Sequence, residues 1–73
     1  MAALINSIEI NTLLEQTEQL LDLINFEMRH QDGLIKAGFN ADDNSYIQSL
    51  ERMEDMIARR RAKFEEIAAL RSL

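Results

Sequence analysis

The stretch LIKAGFNADD, residues 34–43, decides the fold, because an apolar stripe of helical period runs into it and another runs out of it. Gly38 suits the left-handed conformation that ends many helices, and Phe39 can then fold back onto the preceding helix. Asp42 and Asp43 offer side-chain oxygens to the free amides of a second helix. The sequence therefore predicts a bend between two helices here.

The start of helix 1 is predicted from a capping box. Asn6 and Glu9 have the spacing at which each side chain reaches the other's backbone amide, which places the first helical residue near Ser7. A similar box at residues 12–15 leaves a later start open. The prediction is one domain, residues 1–73, with helix 1 at about 7–37, a turn at about 38–42 and helix 2 at about 43–71.

Apolar residues on both sides of the bend recur at alternating spacings of three and four, which is typical of a coiled-coil seam. The predicted seam of helix 1 is Ile10, Leu14, Thr17, Leu21, Ile24, Met28, Gln31 and Ile35. That of helix 2 is Tyr46, Leu50, Met53, Ile57, Arg60, Phe64, Ile67 and Arg71. Folding at the bend brings the two seams together, with large Phe64 opposite small Thr17. The sequence thus predicts an all-α fold, an antiparallel two-helix hairpin of coiled-coil type.

A chain of 73 residues buries a modest fraction of its surface, and this one has no Cys for a disulfide. The apolar arc of helix 1 is wider than one neighbouring helix covers, since Leu13, Leu20 and Leu23 flank the seam. We therefore expect two hairpins to form a homodimeric four-helix bundle with these leucines in its core. Phe26 points further round the helix and is the predicted contact to a partner.

Charge bears on the class of partner. A net charge of -5 and a pI near 4.7 argue against a hold on nucleic acid phosphates. The basic run at residues 59–63 lacks interleaved aromatics and is interpreted as a salt-bridged face opposite Glu15, Glu18 and Asp22. No signal peptide or membrane-length apolar run is evident, so we expect protein partners, no membrane and a cytoplasmic location.

Arg60 is unusual because it falls on the apolar seam. It is either a polar device that fixes register or binds a partner's carboxylate, or a side chain that reaches out from the seam's edge to Glu18 or Asp22. The sequence leaves both interpretations open.

No catalytic constellation is evident. His30 has no second metal ligand on its helical face, and the acidic residues 42–44 lack the spacing, central Gly and closing Glu of a calcium loop. No Gly-rich phosphate loop is present. We therefore expect no enzyme activity, no cofactor and no metal.

The predicted function is a small protein-binding module, such as an adaptor, co-chaperone or regulator, that packs a helix or apolar surface of its partner. In layout alone it is similar to the hairpin co-chaperones that keep bacterial secretion subunits soluble before export. The alternative is an inhibitory or anti-activator protein, of phage or bacterial origin, whose acidic helix 1 masks a basic surface of a transcription factor or enzyme.

Overall fold

Two long helices joined by a tight bend make up the structure, a computed structural model that describes residues 2–73, with side chains from Asn6 onward. Helix α1 spans Ala2–Lys36 and helix α2 spans Asn44–Arg71. The helices pack against each other, and the described residues contain no strand. The predicted all-helical hairpin is therefore confirmed.

Helix α1 is longer than its capping signals suggested. It begins at Ala2, so Asn6 lies inside the helix instead of capping it near Ser7. No Pro or Gly interrupts the chain before Gly33, and helix propensity alone carries α1 through the predicted start. Gly33 also stays helical, and α1 with 35 residues sets the long dimension of a molecule measuring 56 × 16 × 11 Å.

The bend after α1 is built around Gly38, whose φ of 95° is in the left-handed region. The Gly38 amide donates to the Ile35 carbonyl and the Phe39 amide donates to the Leu34 carbonyl, both at 3.0 Å. This pair of bonds is the Schellman arrangement, which satisfies carbonyls that the helix end would leave free. Glycine at this position thus turns the chain back on itself.

Helix α2 begins after Asp43, which occupies the N-cap position with φ -72° and ψ 139°. Its carboxylate does not bind the first amides of α2 as predicted; its Oδ2 accepts from the Asn40 amide at 2.6 Å and so closes the loop. The Asp43 backbone carbonyl accepts from the amides of Tyr46 and Ile47. Asp42 is exposed. The Asp43 side chain therefore tightens the bend.

A seven-residue repeat organises the contact between the helices. On each helix two sets of residues form the contact, and only one of the two sets is the predicted one. The repeat on α1 is formed by the partly or fully buried Ile10, Leu13, Thr17, Leu20, Ile24, Glu27, Gln31 and Leu34. Its counterpart on α2 is Tyr46, Ser49, Met53, Met56, Arg60, Lys63, Ile67 and Leu70. Half of each predicted seam is correct, namely residues 10, 17, 24 and 31 and residues 46, 53, 60 and 67.

The other half of each predicted seam is wrong by one position, except that Leu14 is half buried beside Leu13. Each helix is rotated so that residues 13, 20, 27 and 34 on α1, and 49, 56, 63 and 70 on α2, face the partner helix. The prediction followed apolar character, whereas several of these residues are polar. Glu27 and Lys63 bond across the hairpin, whereas Ser49 is buried there without a hydrogen-bond partner among the described residues.

Candidate interaction surface

The rotation leaves a strip of large apolar side chains exposed on one side of the hairpin, which we call the apolar face. Its members are Leu21, Met28 and Ile35 on α1 and Leu50, Ile57 and Phe64 on α2. Their exposed fractions range from 38% for Leu21 and Leu50 to 55% for Ile35. All six occupy the same heptad position beside the seam, and in an antiparallel pair these positions of the two helices border the same side.

A shallow groove of about 290 Å³ lies on this side of the hairpin. Its lining brings Ile24 of α1 together with Ile57, Arg60, Arg61 and Phe64 of α2. Ile57 and Phe64 of the apolar face thus adjoin the buried Ile24, and the basic Arg60 and Arg61 lie beside them.

The buried interface is more polar than the apolar face. Only Ile24 and Ile67 are buried hydrophobic residues among those described, whereas Thr17, Glu27 and Ser49 are buried polar ones. Burial of polar groups costs free energy unless hydrogen bonds compensate it. The hairpin interface therefore depends on specific polar contacts.

The strongest of these contacts joins Glu27 to Arg52. The Glu27 Oε1 accepts from Arg52 Nε at 2.9 Å and lies 2.7 Å from Arg52 Nη2. Burial on its own raises the Glu27 pKa, but Ser49, Arg52 and the charge of His30 favour the carboxylate and together hold the pKa below its ordinary value of 4.5. Glu27 is thus a charged residue placed between two helices and held there by an arginine that is half exposed.

Two buried polar groups near Glu27 are not fully satisfied. The Ser49 side chain is completely buried, and its hydroxyl lies close enough to favour the Glu27 carboxylate but makes no hydrogen bond of good geometry. The Gln31 Nε2 is buried without a hydrogen-bond partner among the described residues. Such groups cost stability, and a few per domain is the usual number.

Arg60 is half buried and makes neither of the predicted ion pairs. Its Nε donates to the Thr17 carbonyl at 3.3 Å, and its guanidinium lies 4.9 Å from the centre of the Phe64 ring. Arg60 therefore joins the two helices through a backbone carbonyl and borders the apolar face at the same time. Its stem covers apolar surface while the charge stays near the edge.

The rest of the basic run also differs from the prediction. Lys63 Nζ donates to Gln16 Oε1 at 2.9 Å, and Arg59 pairs with Asp55 one turn earlier in α2 at 3.0 Å. The run does lie opposite the part of α1 that carries Glu15 and Glu18, but within residues 2–73 no ion pair joins it to those acids. The register of the two helices is close to the predicted one, but the predicted ion pairs do not form.

The predicted interface residues fall into two groups. Leu13 and Leu20 are half buried between α1 and α2, so they contribute to the hairpin's own interface. Leu23 and Phe26 are exposed by 54% and 67%. They lie on the side of α1 that faces away from the apolar face, and His30 is exposed near them.

Sequence reasoning missed the apolar face because it assigned those six side chains to the hairpin's own seam. The signal that could have found the face is the width of the apolar arc on α1, which one neighbouring helix does not cover. Two lines of residues fit the alternating spacing equally well, and spacing alone does not choose between them.

No family model, curated protein or solved structure matches the chain. Neither helix, over the residues described, has the length and apolar character that crossing a bilayer requires. In the same part of the chain, no three His, Asp or Glu side chains come together as a metal centre would need.

Proposed function

We propose that the chain is a non-enzymatic, cytoplasmic protein-binding module that works as a homodimer, in which the apolar faces of two hairpins pack against each other as a four-helix bundle. The observation that carries the proposal is the exposure of six large apolar side chains at one heptad position of the two helices. Contiguous apolar surface of this kind marks interaction sites in proteins.

The exposed area leaves room for a further interface. The chain exposes 5558 Å², whereas a compact monomer of 8.4 kDa would expose about 4,600 Å². The difference is close to the roughly 800 Å² that each partner buries in an interface of standard size.

Charge at the borders of the face favours a second copy as the occupant. Glu18 and Asp32 are exposed on α1 at the heptad position next to the apolar strip, and the equivalent position on α2 holds Arg61 and, one heptad earlier, Glu54. When a two-fold axis sets α1 of one copy on α2 of the other, each Arg61 lies over an acidic border. A two-fold interface requires this kind of self-complementary surface.

Sedimentation equilibrium tests the proposal. We expect twice the 8.4 kDa chain mass at micromolar concentration. Ile57→Lys places a charge in the middle of the apolar face and should give single chains that remain helical, because Ile57 is 43% exposed in the hairpin. Ala58→Lys, at the next, exposed position, is the matched control and should remain a dimer. A wild-type monomer, or equal masses for the two variants, would refute the proposal.

One observation favours the masking function as a second candidate. Glu15, Glu18 and Asp22 are exposed and form no ion pair within the described residues, so α1 presents three free carboxylates. Charge reversal at these residues should weaken a masking complex and spare one made through Phe26. Phe26→Ala should have the opposite effect.

A further inference from the structure

The open end of the hairpin, away from the bend, contains a second concave surface of about 490 Å³ that the homodimer does not use. Leu13, Ala69 and Leu70 contribute apolar surface, while Glu9 from α1 and Glu66 from α2 add a carboxylate from each helix. We call it the acidic groove. In the heptad repeat it lies on the opposite side of the hairpin from the apolar face.

We propose that the acidic groove binds an amphipathic helix of another protein, one whose apolar stripe is flanked by lysines or arginines. The proposal rests on the proposed function only in treating the chain as a binding module. An apolar channel between two helices is the usual seat of a third helix, whose apolar side chains fill it. The two carboxylates then select basic flanks.

Among the described residues, no cation forms an ion pair with either carboxylate of the groove. Lys63, the nearest base of α2 along the chain, donates to Gln16, which lines the groove, so this cation lies at the groove's edge. Neither Glu9 nor Glu66 forms an ion pair within residues 2–73. Arg71 occupies the heptad position of the apolar face, on the other side of α2. The charge of the groove is therefore available to a basic partner.

The volume of the groove also suits part of a helix. It falls in the range of pockets that hold several apolar groups, and its walls are the two parallel edges of α1 and α2. Ile8, exposed by 58%, extends the apolar surface along α1. A bound helix would pack along the hairpin axis with its basic residues over Glu9 and Glu66.

The test uses a synthetic 18-residue helical peptide of leucine and lysine, with leucine at helical spacing, and a second peptide with glutamate in place of lysine. Binding is measured by calorimetry at physiological salt, where long-range attraction to an acidic protein is screened. We expect the lysine peptide to bind with a stoichiometry of one per chain and the glutamate peptide not to bind.

Paired variants locate the binding site. Glu9→Gln with Glu66→Gln should weaken binding about tenfold, through two lost charge pairs at the groove. Glu51→Gln with Glu65→Gln removes the same charge from exposed positions of α2 and should change affinity less than about twofold. Equal losses in the two double variants would overturn the proposal, as would the absence of binding.

A second pair of variants tests the apolar part of the groove. Ala69→Lys fills the groove with a long cation and should abolish binding, whereas Ala58→Lys should not. Both alanines are exposed, so both variants should keep the helicity of the wild type in circular dichroism. If Ala69→Lys instead dissociates an assembly larger than a dimer, the groove holds another copy of the chain and the proposal is wrong.

The outcome is separable from that of the homodimer. Ile57→Lys should stop dimerisation and leave peptide binding intact, because it alters only the apolar face. If Ile57→Lys abolishes peptide binding, the apolar face captures the peptide and the groove is not the site. If the wild type is a monomer that binds the peptide through the groove, the proposed homodimer fails and this inference stands.

Discussion

The interface between α1 and α2 and the apolar face beside it use side chains in opposite ways. The interface buries Glu27, Ser49 and Thr17, while the apolar face exposes residues as large as Ile57 and Phe64. In most small proteins the first contact between two helices takes the largest apolar residues. Here those residues lie beside the interface and stay exposed, and the proposed homodimer rests on that exposure.

The largest expected effect comes from comparing one isoleucine of each region. Ile67→Ala empties a site that is 3% exposed and should lower the free energy of unfolding by about 2–4 kcal/mol. At a dilution that keeps chains single, Ile57→Ala should lower it by only about 0.5 kcal/mol. Urea titration followed by circular dichroism measures both, and equal losses under those conditions would remove the distinction between the two regions.

The bend decides which sides of the helices meet. Substitution of the chain's two glycines by alanine should change the free energy of unfolding in opposite directions. Gly38→Ala forces a side chain into the left-handed region and should cost about 1–2 kcal/mol. Gly33 is helical with no atom near the position of an added Cβ, so Gly33→Ala should stabilise by about 1 kcal/mol. Thermal unfolding of the two variants checks the difference, and two changes of the same sign would contradict this account of the bend.

The polar character of the interface can be reduced at Gln31, whose buried Nε2 lacks a partner among the described residues. Gln31→Leu removes that unsatisfied donor and should stabilise the chain by about 1 kcal/mol. Gln48→Leu, at an exposed position of α2, serves as the control and should change stability by less than about 0.5 kcal/mol. A loss of stability in Gln31→Leu would show that this amide makes a contact that matters to the fold.

The smallest expected effect is a dependence on pH that comes from Glu27. Because its pKa is lower in the folded chain than in the unfolded one, the carboxylate stabilises the fold above pH 4.5, and this contribution is lost as the pH falls through the folded value. The difference in unfolding free energy between the wild type and Glu27→Gln should be constant from neutral pH to about pH 5 and shrink below pH 4.5. A difference that grows in acid would reverse the sign and contradict the account.

The sequence was sufficient for the architecture and insufficient for the rotation of the helices. Gly38 and the stripes around it predict the hairpin, since few residues other than glycine take its conformation and the apolar period is helical. The sequence does not predict whether the line of residues that contains Met28 or the line that contains Glu27 faces α2, because both lines fit the spacing equally well. The observed rotation pairs Glu27 with Arg52, a contact that joins residues 25 positions apart and leaves no local pattern in the sequence.

The candidate surfaces were hard to predict for a similar reason, because they depend on how the two helices meet. The acidic groove combines side chains from the two ends of the chain, so its form depends on a register that spacing predicts only to within a few residues. The exposure of Leu23 and Phe26 could be predicted, because their distance from the seam follows from the helical period of α1 alone. The burial of Leu13 and Leu20 against α2 could not be predicted, because it depends on the rotation of the helices.

Solvent access to single cysteines tests most directly whether the apolar face is covered in solution, and the chain has no cysteine to interfere. Ile57→Cys and Ala58→Cys place a thiol on the apolar face and on the exposed position beside it. As the protein concentration rises through the micromolar range, we predict that alkylation slows at position 57 and stays constant at position 58. Rates that are independent of concentration at both positions, or that fall together, would contradict the account.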